Sequence, residues 1–360
     1  MAEIQRFNAR IEHIPANIIS KIAKIDELKG QWVSGAQLNP QILGRLKRSV
    51  LITSSGASTR IEGSRLDDEA VEKLMQGLRL QKFADRDKQE VRGYYELLSN
   101  VFDAYKIVNF GESAIKYFHK ELLKYVDKDA AHRGDYKKTE NRVVAKDQDG
   151  NVAAVIFETT SAYLVPKEMQ ELVDSTVGAL KDGRFHPLLV IGNFLVEFLK
   201  IHPFQDGNGR LSRILTNFLL LKAGYSYMPY ISHEKLVEDN KMDYYLALRR
   251  SQKTFNAEKE DITAWLDFFL GVLAKQSSLA IELLSKENIE KLLSPKQLSV
   301  WEYLRSVESA SAGEIVVGAK VARPTVKQAL SILLRLKKIE RIGQGRSTRY
   351  VKLNSCEKSQ

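Results

Sequence analysis

Residues 201–213 read Ile-His-Pro-Phe-Gln-Asp-Gly-Asn-Gly-Arg-Leu-Ser-Arg, and apolar runs of helical period lie on both sides of them. Such a chain has to fold around two buried helices joined by a short polar loop, because the flanking runs are too apolar to leave in water. Pro203 stops the first helix, since proline lacks an N–H and disfavours helical dihedrals in the residue before it. His202 therefore stands at a helix end, facing the loop, where an imidazole can accept a proton near neutral pH. Gly207, Asn208 and Gly209 can turn tightly and bring backbone N–H groups close to an anion. The next helix opens at about Asn208, with the positive end of its dipole toward the same loop. Arg210 and Arg213, three apart on its first turn, share a face and can fork onto phosphate oxygens. Asp206 adds a hard oxygen suited to Mg2+. The stretch reads as a phosphate site.

Neither common nucleotide loop accounts for it. The Walker pattern, Gly, four residues, then Gly-Lys-Ser/Thr, does not occur, and no Gly-x-Gly-x-x-Gly follows a strand. The string His-x-Phe-x-Asp-Gly-Asn-Gly-Arg-x-x-Arg, from His202 to Arg213, resembles at every fixed position the signature of the Fic family. What the resemblance implies is a mainly α fold, a Fic-type helical core with a β-hairpin flap, and transfer of AMP from ATP to a Tyr, Ser or Thr hydroxyl of a protein. In that scheme His202 takes the proton from the attacking hydroxyl and Asp206 holds Mg2+. The backbone of Gly207, Asn208 and Gly209 and the Asn208 side chain hold developing negative charge. Arg210 and Arg213 position the β- and γ-phosphates, with Leu211 and Ser212 completing the nucleotide-facing turn. Gly-Asn-Gly-Arg, in place of the Ala-Asn-Lys-Arg of relatives that phosphorylate, favours AMP transfer. Transfer of other phosphate-containing groups and removal of AMP stay open, as does a transcriptional regulator whose core only senses a nucleotide.

The resemblance gives meaning to two segments that are weak by themselves. Ser58 and Glu62 are i and i+4 on one helical face, and Gly63 can end that helix in a left-handed conformation. The segment is similar to the inhibitory motif of Fic proteins, Ser/Thr-x-x-x-Glu-Gly/Asn, in which the Glu pairs with the second signature arginine. That implies Glu62 with Arg213, and an arginine so held cannot also fork onto a γ-phosphate. Residues 141–146 and 152–158 are β-branched runs flanking Asp147-Gln148-Asp149-Gly150, a hairpin pattern. Their place resembles the Fic flap, which holds the target segment by strand pairing, so Arg142, Val143, Val144 and Ala145 would face the nucleotide. Family members often carry Gly-x-Tyr/Phe-Arg ahead of the flap, where this chain has Gly134-Asp135-Tyr136-Lys137; positive charge survives there, but forked geometry does not. Tyr244 and Tyr245 fall where the family often places aromatic residues beside adenine, and Gln252 near a position where relatives use Asn. The charged stretch 82–92 reads as a solvated helix face or loop.

Composition bounds the setting. At 360 residues, 44% apolar and 28% charged, the chain is long enough for more than one domain and ordinary for a globular protein. The single cysteine, Cys356, excludes an internal disulfide and a cysteine-based zinc site, which suits a reducing compartment. The first residues have scattered charge and no apolar core, and residues 188–204 are interrupted by Asn193, Glu197 and Lys200. Neither a secretory signal nor a membrane span is expected, and the expected location is cytoplasmic. His13, His119, His132, His186 and His233 lack metal-ligand spacing, so structural or surface roles are expected for all five.

The expected layout is an N-terminal helical region at 1–110 carrying the inhibitory motif at 58–63, a Fic core at 111–276, a linker helix at 277–294, a basic module at 295–353 and a tail at 354–360. Within the module, helices at 296–306, 311–318 and 323–337 precede a hairpin at 339–353, the order of a winged helix-turn-helix. Residues 291–352 hold thirteen Lys or Arg against four Asp or Glu, which makes DNA the first partner to consider for 295–353. Protein contact is the other use of such a module. Target proteins bearing a hydroxyl side chain, the chain itself and a second copy in a homodimer complete the partners under consideration.

Overall fold

The computed structural model describes residues 7–35, 40–77, 85–146, 152–335, 338–343 and 348–353. The chain divides into two compact units, Met1–Ile281 and Glu282–Gln360. The first unit is mainly helical. Its N-terminal part holds α1 (Ala16–Gly35), α2 (Pro40–Ile61), α3 (Asp68–Gln76), α4 (Arg86–Ala104) and α5 (Glu112–Leu122). A two-stranded antiparallel hairpin follows, β1 (Arg142–Lys146) with β2 (Val152–Glu158), its register shifted between Val143 and Val144 and again between Ala145 and Lys146. The expected turn at 147–150 lies outside the described residues. Then come α6 (Val165–Asp182), α7 (Pro187–Ile201), α8 (Asn208–Lys222), α9 (His233–Asp239), α10 (Lys241–Gln252) and α11 (Thr263–Leu292).

Helices α7 and α8 form the centre, as their apolar character requires. From Leu188 to Leu199 every residue of α7 is buried, and α8 is buried at Leu211, Ile214, Leu215, Phe218 and Leu219 through to Leu221. Helices α4 and α5 pack on α8, α6 packs on α7, and α2 packs on α4, α8 and α9. This arrangement brings the end of α2 and the start of α4 to the same place, the opening of α8.

Helix α2 runs further than apolar periodicity suggests. The sequence favours a helix over 40–53 followed by a separate motif, whereas the structure has one helix through Ile61. Its last turns are rich in hydroxyls that pack inside because the helix itself satisfies them: Ser55 donates to the Leu51 carbonyl at 2.6 Å and Thr59 to the Ser55 carbonyl at 2.9 Å. Ser54 meets Ser232 of the residue pair capping α9 at 2.8 Å, so a polar strip replaces an apolar one on this face.

The second unit holds α12 (Pro295–Ser306), β3 (Ser309–Ala310), α13 (Ala312–Gly318), α14 (Arg323–Arg335), β4 (Ile339–Ile342) and β5 (Arg349–Lys352). Its sheet runs β3-β5-β4, all antiparallel. Val300, Leu304, Ile315, Val326, Leu330, Leu333 and Ile339 make a small core of its own. The three helices and the closing strands match the expected order, and β3 is an addition. Two residues are too few to show an alternating pattern, so this strand exists only through its partner. The Gly343-Gln344-Gly345 turn runs into residues outside those described. Among the described residues, no helix is long and apolar enough to cross a membrane.

Candidate active site

His202 caps α7 in a left-handed conformation, φ 52°, which turns the chain out of the helix ahead of Pro203. Its Nδ1 lies 3.2 Å from the Leu199 carbonyl. A carbonyl only accepts, so the proton sits on Nδ1 and the lone pair on Nε2. Burial pushes the imidazole down to about 4, so the ring is neutral at physiological pH and able to receive a proton.

The loop after His202 is held from three directions. Phe204 is buried and stacks on the His119 ring at 3.8 Å. His119 accepts the Gly134 N–H at Nδ1, 2.9 Å, and therefore donates from Nε2 to the Asp206 carbonyl at 3.0 Å. Burial holds this imidazole near about 4 as well, in keeping with a fixed neutral tautomer. From the hairpin side, Lys137 N–H donates to the Pro203 carbonyl at 2.9 Å and Asn141 Nδ2 to the Phe204 carbonyl at 2.9 Å. The Lys137 ammonium reaches Asn141 Oδ1 at 2.7 Å and Thr159 Oγ1 at 2.8 Å, which clasps the two feet of the hairpin together beside the end of α7. Burial lowers this lysine to about 8.

Asn208 corrects one expectation. Its side chain was assigned to developing charge, but its Oδ1 accepts the Phe204 N–H at 2.9 Å and its Nδ2 donates to the Phe204 carbonyl at 2.8 Å. The amide is a staple across the loop, which leaves the anion-facing work to backbone. Gly207 takes φ 79°, a left-handed value that favours glycine, and opens α8. Leu211 points into the core, and the Ser212 hydroxyl is committed to the Gly209 carbonyl at 2.7 Å, so neither side chain faces the loop as a ligand.

The two guanidiniums are buried and each meets a carboxylate. Arg213 Nη2 lies 2.7 Å from Glu62 Oε1 and 2.8 Å from the Ser58 carbonyl, while its Nε donates to Ser58 Oγ at 2.8 Å. Glu62 and Arg213, the pair implied by the resemblance, are thus bonded. Their pairing depends on Gly209, where an added Cβ would stand 2.2 Å from Glu62 Oε1. The turn of α2 that presents Glu62 is itself pinned by Arg60, which forks onto Glu238 of α9 at 2.5 and 3.1 Å. Arg210 pairs with Glu90 at 2.7 Å and with Asp206 at 3.1 Å. Among the described residues, Arg210 Nε and Arg213 Nη1 are buried without a hydrogen-bond partner, as expected of cations shaped for an anion.

Asp206 accepts the Gly207 N–H at 2.6 Å and meets Arg86 at 2.5 Å. Burial pushes its carboxyl up, but Arg210, the Gly207 N–H and Arg86 outweigh that and hold it below the usual range. No group of three or more His, Cys, Asp or Glu among the described residues could hold a metal ion. One half-buried carboxylate beside a phosphate cradle fits Mg2+, which commonly takes one or two carboxylates plus substrate oxygens.

Arg86 and Glu90 correct the reading of 82–92 as a solvated face. Glu90 falls in the helical register of Tyr94, Leu97, Leu98 and Val101, all buried. A carboxylate on an apolar stripe was the available signal. Tyr244 is buried and lines one small cavity together with Arg213, and the Tyr245 hydroxyl lies 3.4 Å from the Ile61 carbonyl, so both tyrosines lie near the Glu62–Arg213 pair. Gln252 does not reach the loop through its hydrogen bonds: its Nε2 donates to the Val196 carbonyl, in the middle of α7.

Comparison with known proteins finds relatives for part of the chain. The family model described as Fic/DOC family matches residues 109–220. A protein adenylyltransferase Fic of Aedes aegypti is 51% identical over 41 residues, which is 11% of this chain and 8% of that protein. The protein adenylyltransferase and cysteine protease IbpA of Histophilus somni is 27% identical over 138 residues, 38% of this chain and 3% of that one. The chain thus spans only a small part of each of these two relatives. The crystal structure of a Fic family protein from Desulfovibrio desulfuricans superposes with a TM-score of 0.61 at 24% identity, covering 96% of this chain and 98% of that chain, which shows a common fold.

Proposed function

Because the chain carries a Fic/DOC family domain, we propose that it is a protein adenylyltransferase, moving AMP from ATP to a hydroxyl side chain of a protein, itself included. The observation that carries the reading is the neutral His202 at the mouth of a loop whose next turn buries two arginines with orphaned N–H groups. His202 Nε2 takes the proton as the target oxygen attacks the α-phosphate, and pyrophosphate leaves. The backbone N–H groups at the opening of α8, aided by the helix dipole, stabilise the negative charge that builds on the α-phosphate. Arg210 and Arg213 hold the outer phosphates, which requires Arg213 to exchange Glu62 for a γ-phosphate. Asp206 would hold Mg2+, which when bound neutralises charge on the phosphate oxygens. The hairpin, clasped by Lys137, offers backbone pairing to the target segment, with Arg142, Val143, Val144 and Ala145 as its pairing strand. Tyr244 and Tyr245 would flank the adenine side of the site.

With α-labelled ATP and Mg2+, the Glu62→Gly form should label itself or a lysate protein, and γ-labelled ATP should not. His202→Ala in that form should lower the rate about a thousandfold, the scale of a lost general base. Equal labelling with and without the imidazole would show that another group does the chemistry.

A specific observation favours a second partner for the C-terminal unit. The buried stripe of α14 is Val326, Ala329, Leu330 and Leu333, and its opposite face exposes Arg323, Lys327, Gln328 and Arg335. This helix has the sequence position of the reading helix in a winged helix-turn-helix, so we assign DNA as its partner. Gel shift of the full chain with duplex DNA should show binding that weakens steeply as salt rises from 50 to 200 mM, by about tenfold or more. Absence of a salt-dependent shift would leave protein contact as the use of this surface.

A further inference from the structure

Arg86 stands in the first turn of α4, and its guanidinium lies among three carboxylates. Its Nη2 is 2.5 Å from Asp206 Oδ2 and 3.3 Å from Asp129 Oδ2, and its Nε donates to Glu90 Oε1 at 2.7 Å. His132 completes the surroundings, with its Nε2 3.2 Å from the other oxygen of Asp129. We propose that Arg86 is an exchangeable counterion that occupies the cation position of Asp206 until a divalent cation replaces it, and so sets the affinity of the site for that cation. The inference rests on the reading of Asp206 as the Mg2+ ligand.

The argument follows from counting what each Asp206 oxygen already holds. Oδ1 accepts the Gly207 N–H, while Oδ2 faces both Arg210 and Arg86. Oδ2 has both lone pairs engaged, so a cation that takes this oxygen must replace one of the two guanidiniums. The Gly207 N–H belongs to the turn that opens α8 and cannot withdraw without undoing it. Arg210 is 3% exposed and tied to Glu90. Arg86 is 44% exposed, so its Nη2 can leave Asp206 at small cost while its Nε stays on Glu90.

The charges work in the same direction. A guanidinium and a divalent cation on one carboxylate oxygen repel each other, so the presence of Arg86 weakens the cation. Once displaced, Arg86 remains beside Glu90 and Asp129, which keep it near. An arginine recruited simply as another phosphate ligand would not need to touch the metal-binding carboxylate at all. Asp206 faces Arg86 and Arg210 together, and Arg210 already supplies the fixed positive charge its orientation needs.

The test reads the cation directly. Mn2+ titrated into the full chain without nucleotide, with free Mn2+ counted by electron paramagnetic resonance, should bind Arg86→Met at least about threefold more tightly than the unchanged chain. Arg86→Lys, which keeps a displaceable charge without the fork, should fall between the two and guards against a folding defect in the Met form. Asp206→Asn should abolish the site in every background. If Arg86→Met and Arg86→Lys bind no more tightly while Asp206→Asn still abolishes binding, Arg86 is not a counterion to the cation, and the metal reading stands. If Asp206→Asn leaves Mn2+ binding unchanged, the metal reading fails and this inference with it.

Discussion

Arg213 and Arg210 are three residues apart on one turn of α8, and the carboxylates they meet differ in kind. Glu62 lies just past the last residue of α2, 35% exposed, with only the final turn of that helix behind it. Glu90 lies on the buried stripe of α4, 11% exposed, between that helix and α8. The first can rotate into water without disturbing any packing. The second can leave Arg210 only if α4 and α8 part, which would expose Val91, Tyr94 and Leu97. On the proposed reading, the same kind of ion pair is a displaceable lock at one arginine and a fixed brace at the other. Exposure of the carboxylate and its position along the helix decide which: Arg213 is as buried as Arg210, but Glu62 can regain water when it leaves and Glu90 cannot.

Removing the lock should have the largest effect. Glu62→Gly should raise α-label transfer by about a hundredfold, because Arg213 becomes available to phosphate without first losing a charged hydrogen bond. Its remaining contacts to Ser58 hold the guanidinium in place, so the gain should come with little change in thermal stability. An unchanged rate would mean that Glu62 orients Arg213 instead of withholding it, and the distinction between the two carboxylates would disappear.

What the sequence revealed of these two ends differs for a physical reason. Ser58, Glu62 and Gly63 sit within six residues, so their shared face follows from helical geometry alone, and the same is true of the loop from His202 to Arg213. Helix α7 was legible because it is apolar nearly all round, and α8 because Ile214, Leu215, Phe218 and Leu219 repeat at helical spacing. Glu90, Arg86, His119 and Lys137 act on residues 64 to 120 positions away, and only the packing of α4 and α5 on α8, and of the segment before the hairpin on the end of α7, brings them there. Composition near Arg86 and Glu90 reads as a solvated face, because charge alone does not reveal which helical register it occupies. His119 has the expected structural role, and its bond to the Asp206 carbonyl makes that role a part of the site. For Asn208 the resemblance implies contact with substrate, while both ends of its amide are bonded to Phe204.

The smaller test concerns the brace. In the Glu62→Gly background, Glu90→Gln keeps the shape of the side chain and removes its charge, leaving Arg210 buried with a weaker partner. The Michaelis constant for ATP should rise by about threefold, with the turnover rate within about twofold, because Arg210 binds phosphate that is not itself attacked, in the ground state and the transition state alike. Thermal stability should fall by about 1 kcal/mol, the scale of a charged hydrogen bond weakened inside. A lock would respond with the opposite sign: removing charge from Glu90 would free Arg210, lower the constant for ATP and raise labelling further, as removal of Glu62 does. The direction of the change in that one constant therefore separates the two roles, even if its size is modest, and it does so at an arginine whose neighbour three residues on gives the contrary answer.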